Sequence, residues 1–281
     1  MCVVGRRMMW SLLLLPLCLI ACDHKEKPIV LPHSKGLPSE VLLVTDDAVG
    51  QSDVMDSLNA LTQQCLPEIM QPETMFRVLR VSQRNYTQRY ITMHTKLFVN
   101  IDKSLSAPMM GISRDVEATP QTEVTVSAPS LNELRLFLSH HQQQVTDALL
   151  DGQLLVRMTD LRKHHNAHVD NEVRRHMGYS ICVPKNVCAV KKGKHFLWAG
   201  SNLQERDLNI VLYEFPWDGK PMDNAEQLVS KRDSVMKCNI PGEKEGQWMQ
   251  TSRVDGNALV MCRRRNLQGR EFVEMRGMWD G

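Results

Sequence analysis

Histidines concentrate in one stretch of the chain, at a spacing that would suit a metal ion. His164, His168, Glu172 and His176 stand four residues apart, so on one helix they share a slowly drifting face. Two imidazoles one turn apart can share a transition metal, and a carboxylate one turn further can be a third ligand. These four residues are the candidate metal ligands of a metal-dependent hydrolase.

Other features of the same stretch favour a solvent-facing polar helix instead, and this is the interpretation we prefer. Arg162, Lys163, Arg174 and Arg175 would repel a cation, and the glutamate of a metalloprotease helix is missing between the histidines. The sequence also contains no nucleophile elbow, Walker loop or dinucleotide-binding glycine motif. We therefore predict no catalytic residue and keep the hydrolase as the alternative.

A cysteine near the start of the chain has the context of a lipid-attachment site. Residues 10–20 are an apolar run preceded by two arginines, which is typical of a signal peptide and too short to span a membrane. The run continues into LIAC, which ends at Cys22 and resembles the bacterial lipobox. That resemblance implies cleavage after residue 21. It also implies a diacylglyceryl group and an N-acyl chain such as palmitate on Cys22, and we expect no other cofactor.

The mature chain has an odd number of further cysteines: Cys65, Cys182, Cys188, Cys238 and Cys262. No C-x-x-C motif occurs among them, so neither a redox motif nor a zinc ribbon is supported. Cys182 and Cys188 flank a predicted turn, and an exported protein can form a disulfide there. The alternative is that they are small buried apolar residues.

Four tryptophans and one acidic pair are weaker candidates for binding. The tryptophans could stack on sugars, although scattered tryptophans more often belong to the core: Trp198, Trp217, Trp248 and Trp279. Asp46 and Asp47 follow a predicted strand. They could bind a cation or a sugar, but capping a helix or ending the strand in a turn is the interpretation we favour.

Strands and helices alternate without a regular βαβ rhythm. Strands are predicted at 40–45, 75–81, 97–101, 122–127, 179–183, 196–199, 208–215, 258–262 and 271–275. Helices are predicted from Ser52 to Cys65, from Ser130 past residue 150 with an interruption at Gly152, over 153–176 up to Gly178, and over 223–237. We predict an α+β fold in which two mixed α/β subdomains are joined by a long helical stretch, with an antiparallel-rich second half.

The predicted organisation has four parts: a cleaved signal peptide at 1–21, a lipidated cysteine and flexible tether at 22–39, an N-terminal α+β subdomain at 40–176, and a C-terminal subdomain of antiparallel strands plus a helix at 177–281. Of the 34 basic residues, two leave with the signal peptide, so the mature chain has 32 basic and 32 acidic residues. A neutral exported protein is not expected to bind nucleic acid.

Four pieces of the mature chain carry a family resemblance: GLPSEVLLV at 36–44, AEQLVSKRDSVMK at 225–237, IPGEKEGQWM at 240–249 and EMRGMWDG at 274–281. They resemble an uncharacterised lipoprotein family of Bacteroides-type bacteria known as domain of unknown function 4837. The resemblance implies an envelope location and no particular activity. The family pattern continues beyond its Arg-Gly-x-Trp motif, so the resemblance implies either a short reading frame here or a missing final strand in the C-terminal subdomain.

Together these observations predict a lipid-anchored lipoprotein of the bacterial cell envelope. We expect it in the outer membrane, facing the periplasm or the cell surface, and attached to the membrane through its lipid. Its expected role is that of a non-catalytic binding or structural module, with an envelope protein or a glycan as its partner.

Overall fold

The computed structural model describes residues 30–66, 72–201, 207–217, 219, 224–242, 244–267 and 269–280. The predicted signal peptide and Cys22 lie outside these residues. None of the helices in the described ranges has both the length and the apolar character needed to cross a membrane.

The strands of the described residues are β1 Glu40–Thr45, β2 Arg77–Ser82, β3 Thr95–Ile101, β4 Met109–Arg114, β5 Thr122–Ala128, β6 Ala189–Gly193, β7 Phe196–Gly200, β8 Asn209–Tyr213, β9 Gln250–Thr251, β10 Arg253–Val254, β11 Asn257–Ala258, β12 Val260–Leu267, β13 Arg270–Gly277 and β14 Trp279–Asp280. The helices are α1 Asp47–Gly50, α2 Val54–Thr62, α3 Gln88–Ile91, α4 Leu131–His164, α5 Ala167–Met177 and α6 Ala225–Asn239.

The first half is built on a five-stranded sheet of order β2-β1-β3-β5-β4, parallel except for the antiparallel edge strand β4. Strand β1, which lies between β2 and β3, reads EVLLVT and is buried on both faces, as the continuous apolar run predicts. Val41 and Leu43 pack with residues of α2 and α4, whereas Leu42 and Val44 face a smaller cluster on the other side. The predicted strands at 97–101 and 122–127 are confirmed by β3 and β5.

The smaller face of the sheet contains a buried charge. Lys96 on β3 is fully buried, and its Nζ donates hydrogen bonds to Tyr86 Oη at 2.6 Å, Glu117 Oε2 at 2.6 Å and Glu123 Oε1 at 2.8 Å. Burial, followed by the hydrogen bond to Glu117, raises the pKa of Tyr86. The Lys96 ammonium group therefore has a hydrogen-bond acceptor for each of its three N–H groups inside the fold.

Helix α2 is shorter than predicted. It ends at Thr62 rather than at Cys65, and Asp53 rather than Ser52 occupies its N-cap position. The chain leaves the helix because residues 64–66 pair with residues 73–75, where Leu66 N–H donates to Glu73 O at 2.8 Å and Cys65 bridges to Thr74.

Helix α4 begins at the predicted Ser130 cap, because Ser130 Oγ accepts from Glu133 N–H at 3.3 Å and also donates to the Glu133 carboxylate at 2.7 Å. Gly152 does not interrupt the helix; it lies where α4 packs against β5 and leaves room for Thr122. The helix has a kink at His141, where the backbone is non-helical, and it ends at His165, which has an extended backbone. The predicted single helix over 153–176 is therefore two helices.

Asn166 begins α5, since its side chain accepts from His168 N–H at 3.0 Å and from Val169 N–H at 3.3 Å. Gly178 ends α5 with a left-handed conformation, φ 81°, as predicted. The apolar face of α5, with Val169 and Val173, packs against the antiparallel sheet β6-β7-β8.

The second half consists of antiparallel sheets and helix α6, so the α+β class with an antiparallel-rich second half is confirmed. The strands predicted at 258–262 and 271–275 overlap β12 and β13, which pair antiparallel from Val260 with Gly277 to Leu267 with Arg270. The strand predicted at 179–183 is wrong, because the Asp170 carboxylate instead takes the Ile181 N–H at 3.0 Å. Strand β6 at Ala189–Gly193 forms the sheet edge.

The last part of the predicted tether is attached to the domain. His33 forms a bridge to Thr119 and Lys35 forms a bridge to Met93, with hydrogen bonds from Ser34 N–H to Thr119 O at 3.1 Å and from Lys35 N–H to Thr92 O at 2.7 Å. Residues 33–35 of the predicted 22–39 segment are therefore held by hydrogen bonds against the loops that precede β3 and β5.

Candidate functional site

A large concavity in the second half is a cleft between β7–β8, α6 and the C-terminal strands. We call it the aromatic cleft; it has a volume of about 900 Å³ and its walls include Trp198, Tyr213, Arg232, Met236, Met249 and Trp279. A neighbouring cavity of about 510 Å³ shares Tyr213, Arg232 and Trp279. Both volumes fall in the range of small-molecule sites, and so does the mostly apolar lining with a few polar groups.

Helix α6 places a cationic side chain, that of Arg232, in the wall of this cleft. The Asn224 side chain caps the helix by accepting from Gln227 N–H at 3.1 Å, and Val229 and Met236 are its buried residues. Arg232 lies three residues after Val229 and four before Met236, so it shares their face and points toward the protein. It lines both cavities.

The Arg232 guanidinium is fixed by three contacts. Its Nη1 donates to Asp233 Oδ1 at 2.5 Å and to Thr251 Oγ1 at 2.9 Å, and its central carbon lies 3.6 Å from the centroid of the Trp279 ring. Thr251 N–H in turn donates to Asp233 Oδ1 at 3.1 Å. A stacked and hydrogen-bonded guanidinium is preorganised to receive a ligand.

One nitrogen of this guanidinium has no hydrogen-bond partner. Arg232 Nη2 is buried and unpaired among the described residues. A buried donor without an acceptor costs about 1–3 kcal/mol. An oxygen of a ligand that reached this nitrogen from the adjoining cleft would remove that cost.

The four candidate tryptophans divide into two pairs. Trp198 and Trp279 line the cleft, whereas Trp217 and Trp248 are not part of its walls. Trp198 Nε1 donates to Asn209 Oδ1 at 2.8 Å, which fixes the orientation of the indole. Trp279 is 48 % exposed, so its ring remains available for stacking.

Tyr213 supplies a neutral hydroxyl to both cavities. Burial is the main cause that raises its pKa, and the opposing charges of Arg232 and Asp233 have smaller effects. The phenol therefore keeps its proton throughout the physiological range and can both donate and accept a hydrogen bond.

The structure does not bring the four candidate metal ligands together. His164 ends α4 and pairs with Asp160 at 2.9 Å, whereas His168 and His176 belong to α5, beyond the break. Glu172 binds Arg175 and Lys192, and the Lys192 hydrogen bond is the main cause that lowers its pKa.

His176 Nε2 contacts the backbone oxygens of Gly193 at 2.8 Å and Phe196 at 3.2 Å. Within the described ranges, no three His, Cys, Asp or Glu side chains are placed to hold a metal ion. The physical reason is the capped break at Asn166, which separates the first histidine from the others.

The structure also shows the environment of the two candidate cysteines and of the acidic pair. Cys182 and Cys188 are both free and exposed, so they do not form the suggested disulfide here and are not buried apolar residues. Asp46 caps α1 through Val49 N–H at 2.7 Å and also accepts from Ile101 N–H at 2.7 Å. The capping interpretation of the acidic pair is confirmed for Asp46, while Asp47 pairs with Arg84.

Sequence reasoning did not single out Arg232, because a charge in a helix usually faces solvent. Its spacing from Val229 and Met236 was the available signal. Tyr213 was placed in a predicted strand but was not assigned to a site, since nothing local indicates that α6 and β14 cover it.

Comparison with protein families gives two matches that follow one another along the chain. Residues 34–159 match a family described as "Domain of unknown function (DUF8532)", and residues 166–281 match one described as "Domain of unknown function (DUF4837)". The second family is the one that the four sequence pieces resemble. The matched residues, 166–281, include all the residues named above as walls of the aromatic cleft. Comparison with curated proteins and with solved structures found no match.

Proposed function

We propose that this protein is a non-catalytic glycan-binding module of a cell-envelope lipoprotein, and that the aromatic cleft is its binding site. The observation that carries the proposal is the unpaired Arg232 Nη2 beside the half-exposed ring of Trp279. A sugar offers an apolar C–H face for stacking on an indole, and its hydroxyls supply hydrogen-bond acceptors and donors. The cleft presents the matching groups in one place.

The polar groups of the cleft suit a carbohydrate better than a purely apolar ligand. Asn209, Tyr213 and Arg232 provide hydrogen-bonding atoms around the rings of Trp198 and Trp279. An envelope protein is the other partner class that the sequence predicts. A cavity of about 900 Å³ holds a short oligosaccharide or one inserted side chain, and the few polar side chains beside two indole rings favour the sugar.

The lipid anchor and the outer-membrane location complete the proposal. They are supported by the sequence of residues 1–22 and by the resemblance to the envelope lipoprotein family. In this arrangement the lipid on Cys22 would hold the glycan-binding half at the envelope.

The test is binding of a panel of soluble oligosaccharides built from hexoses, N-acetylhexosamines and uronic acids. Titration calorimetry of the full chain should identify at least one binder, and Trp279→Ala should weaken its binding at least tenfold. Trp217→Ala is the matched control, since Trp217 is 39 % exposed but lies outside the cleft walls, and it should change the affinity less than twofold. Absence of any binder, or equal losses in the two variants, would refute the proposal.

A further inference from the structure

We propose that a separate cavity in the first half of the chain binds a phosphate monoester group. We call it the basic pocket; it lies between residues 33–38 and the last three turns of α4 and has a volume of about 450 Å³. Its lining includes His33, Lys35, His94, Arg157, Lys163 and His164. The proposal does not depend on the aromatic cleft, which is formed by residues of the second half.

The cations of the basic pocket stand apart from the ion pairs formed by the described residues. Lys35, Arg157 and Lys163 have no acidic partner among the described residues. The single acid in the lining is Asp160, which is already in contact with His164 Nδ1 at 2.9 Å. Three positive charges thus line a cavity that has one carboxylate, which is an electrostatic arrangement that favours an anion.

A second observation points to a ligand independently of the charges. Ser34 is 7 % exposed and lines the pocket, and its Oγ is buried without a hydrogen-bond partner among the described residues. The Ser34 backbone is held by its N–H bond to Thr119 O at 3.1 Å. A buried hydroxyl left unpaired costs free energy, and a ligand oxygen would satisfy it.

The wall formed by residues 33–40 is fixed in place. Gln153 on α4 accepts from Ser39 N–H at 3.2 Å and donates to Glu40 O at 2.7 Å. Gly36 has φ 137°, and a Cβ there would lie 2.6 Å from His94 Nε2. This close approach keeps the imidazole of His94 against the backbone, where Nε2 contacts Leu37 O at 3.1 Å. The pocket is therefore preorganised, which lowers the entropy cost of binding.

Phosphate suits these groups better than a carboxylate does. A phosphate monoester carries a charge of about −1.5 to −2 at neutral pH and three acceptor oxygens, which matches a pocket with three unpaired cations and a free hydroxyl. The volume leaves room for the small polar group that is esterified. The source could be a soluble phosphate ester or a lipid headgroup.

The possibility that the bound phosphate belongs to a lipid headgroup rests on the proposed lipid anchor. His33 lies eleven residues after Cys22 in the sequence. A chain of that length spans at most about 40 Å, so a lipid on Cys22 would keep the pocket near the headgroups. The phosphate chemistry itself does not require the anchor, and the experiment separates the two.

The experiment uses the full chain carrying Cys22→Ser, so that no lipid of its own competes. Calorimetric titration with glycerol 3-phosphate should show saturable binding, and the double variant Arg157→Gln, Lys163→Gln should lose at least tenfold in affinity. Arg162→Gln removes the same charge next to Lys163 but outside the pocket lining, so it should change affinity less than twofold. Ser34→Ala should weaken binding about threefold or more, without lowering the melting temperature.

Flotation with vesicles of phosphatidic acid in phosphatidylcholine separates the two sources. Binding of glycerol 3-phosphate with flotation supports a headgroup ligand, and binding without flotation supports a soluble ester; both support the phosphate site. No binding of glycerol 3-phosphate overturns the inference, as does equally tight binding of acetate or equal loss in Arg162→Gln. If the double variant lowers the melting temperature but binds glycerol 3-phosphate as tightly as the parent, the two cations stabilise the end of α4 and the inference is wrong. Trp279→Ala should leave phosphate binding unchanged, so failure of the glycan proposal would remain distinguishable.

Discussion

A Cβ atom on Gly152 would lie 2.9 Å from the Cβ of Thr122, because α4 packs directly against β5 at this residue. We expect Gly152→Ala to destabilise the protein by about 1–2 kcal/mol, since the overpacking outweighs the gain in helix propensity of about 1 kcal/mol. Urea unfolding measures the change. Gly111→Ala on the edge strand β4 is the control, because nothing lies within 4 Å of the added atom, and it should stay within about 0.5 kcal/mol.

Asp46 should matter far more for stability than its neighbour. Its carboxylate accepts from the N–H groups of Val49 and Ile101, which lie on two different elements. Asp46→Ala leaves both donors without their acceptor and should cost about 2–3 kcal/mol. Asp47→Ala removes only a surface ion pair with Arg84, so a change above about 1 kcal/mol in thermal or urea unfolding would contradict this assignment.

The terminal hairpin should show a pH-dependent stability that depends on Glu274. Burial alone would raise the pKa of this carboxyl, but hydrogen bonds from Arg263 and Arg276 lower it to about 2. Because the folded pKa lies below the ordinary value of 4.5, the carboxylate stabilises the fold above pH 4.5, and this contribution disappears between pH 4.5 and 2.

The measurement compares the wild type with Glu274→Gln by urea unfolding across that range. The variant should be less stable by about 1 kcal/mol at pH 7, and the two proteins should converge toward pH 2. A difference that stays constant with pH would show that Glu274 acts through shape or packing rather than charge.

Cys182 and Cys188 should react as free thiols. Both are exposed and unpaired in the structure. Alkylation with iodoacetamide followed by mass spectrometry should label both to the same extent with and without prior reduction. Labelling that requires a reductant would show that the two thiols form a disulfide after export.

Lipid attachment should depend on Cys22. Growth with a fatty-acid probe should label the wild-type protein, and Cys22→Ser should abolish the label because this thiol ends the lipobox-like LIAC segment. Cys65→Ser is the matched control and should keep the label. A stable anchor needs two or more acyl chains, so the variant should also leave the membrane fraction.

Local signals predicted the elements that depend on nearby residues. The continuous apolar run at 40–45 predicted β1, the Ser130–Glu133 pair predicted the start of α4, and Gly178 predicted the end of α5. In each case the residues that determine the backbone are neighbours in the chain, so no knowledge of tertiary structure was needed.

Elements that depend on distant partners were predicted less well. Strand β4 carries exposed side chains such as Met109 and Ile112 and forms only because β5 pairs with it. Gly152 was interpreted as a helix interruption, because the contact with Thr122 thirty positions earlier is invisible in the sequence. The site was missed for the same reason: Arg232 and Trp279 come together only when α6 and β14 meet.

The buried Lys96 also constrains how the first sheet assembles. A shift of β3 by one residue relative to its neighbours would turn every side chain to the opposite face. Lys96 would then face the apolar cluster of Val41, Leu43 and Leu149, far from the carboxylates that neutralise it. An unpaired ammonium in such a cluster costs several kcal/mol, so the lysine disfavours mispaired sheets more strongly than it stabilises the correct one. Its main contribution to this fold is then the rejection of alternative strand registers.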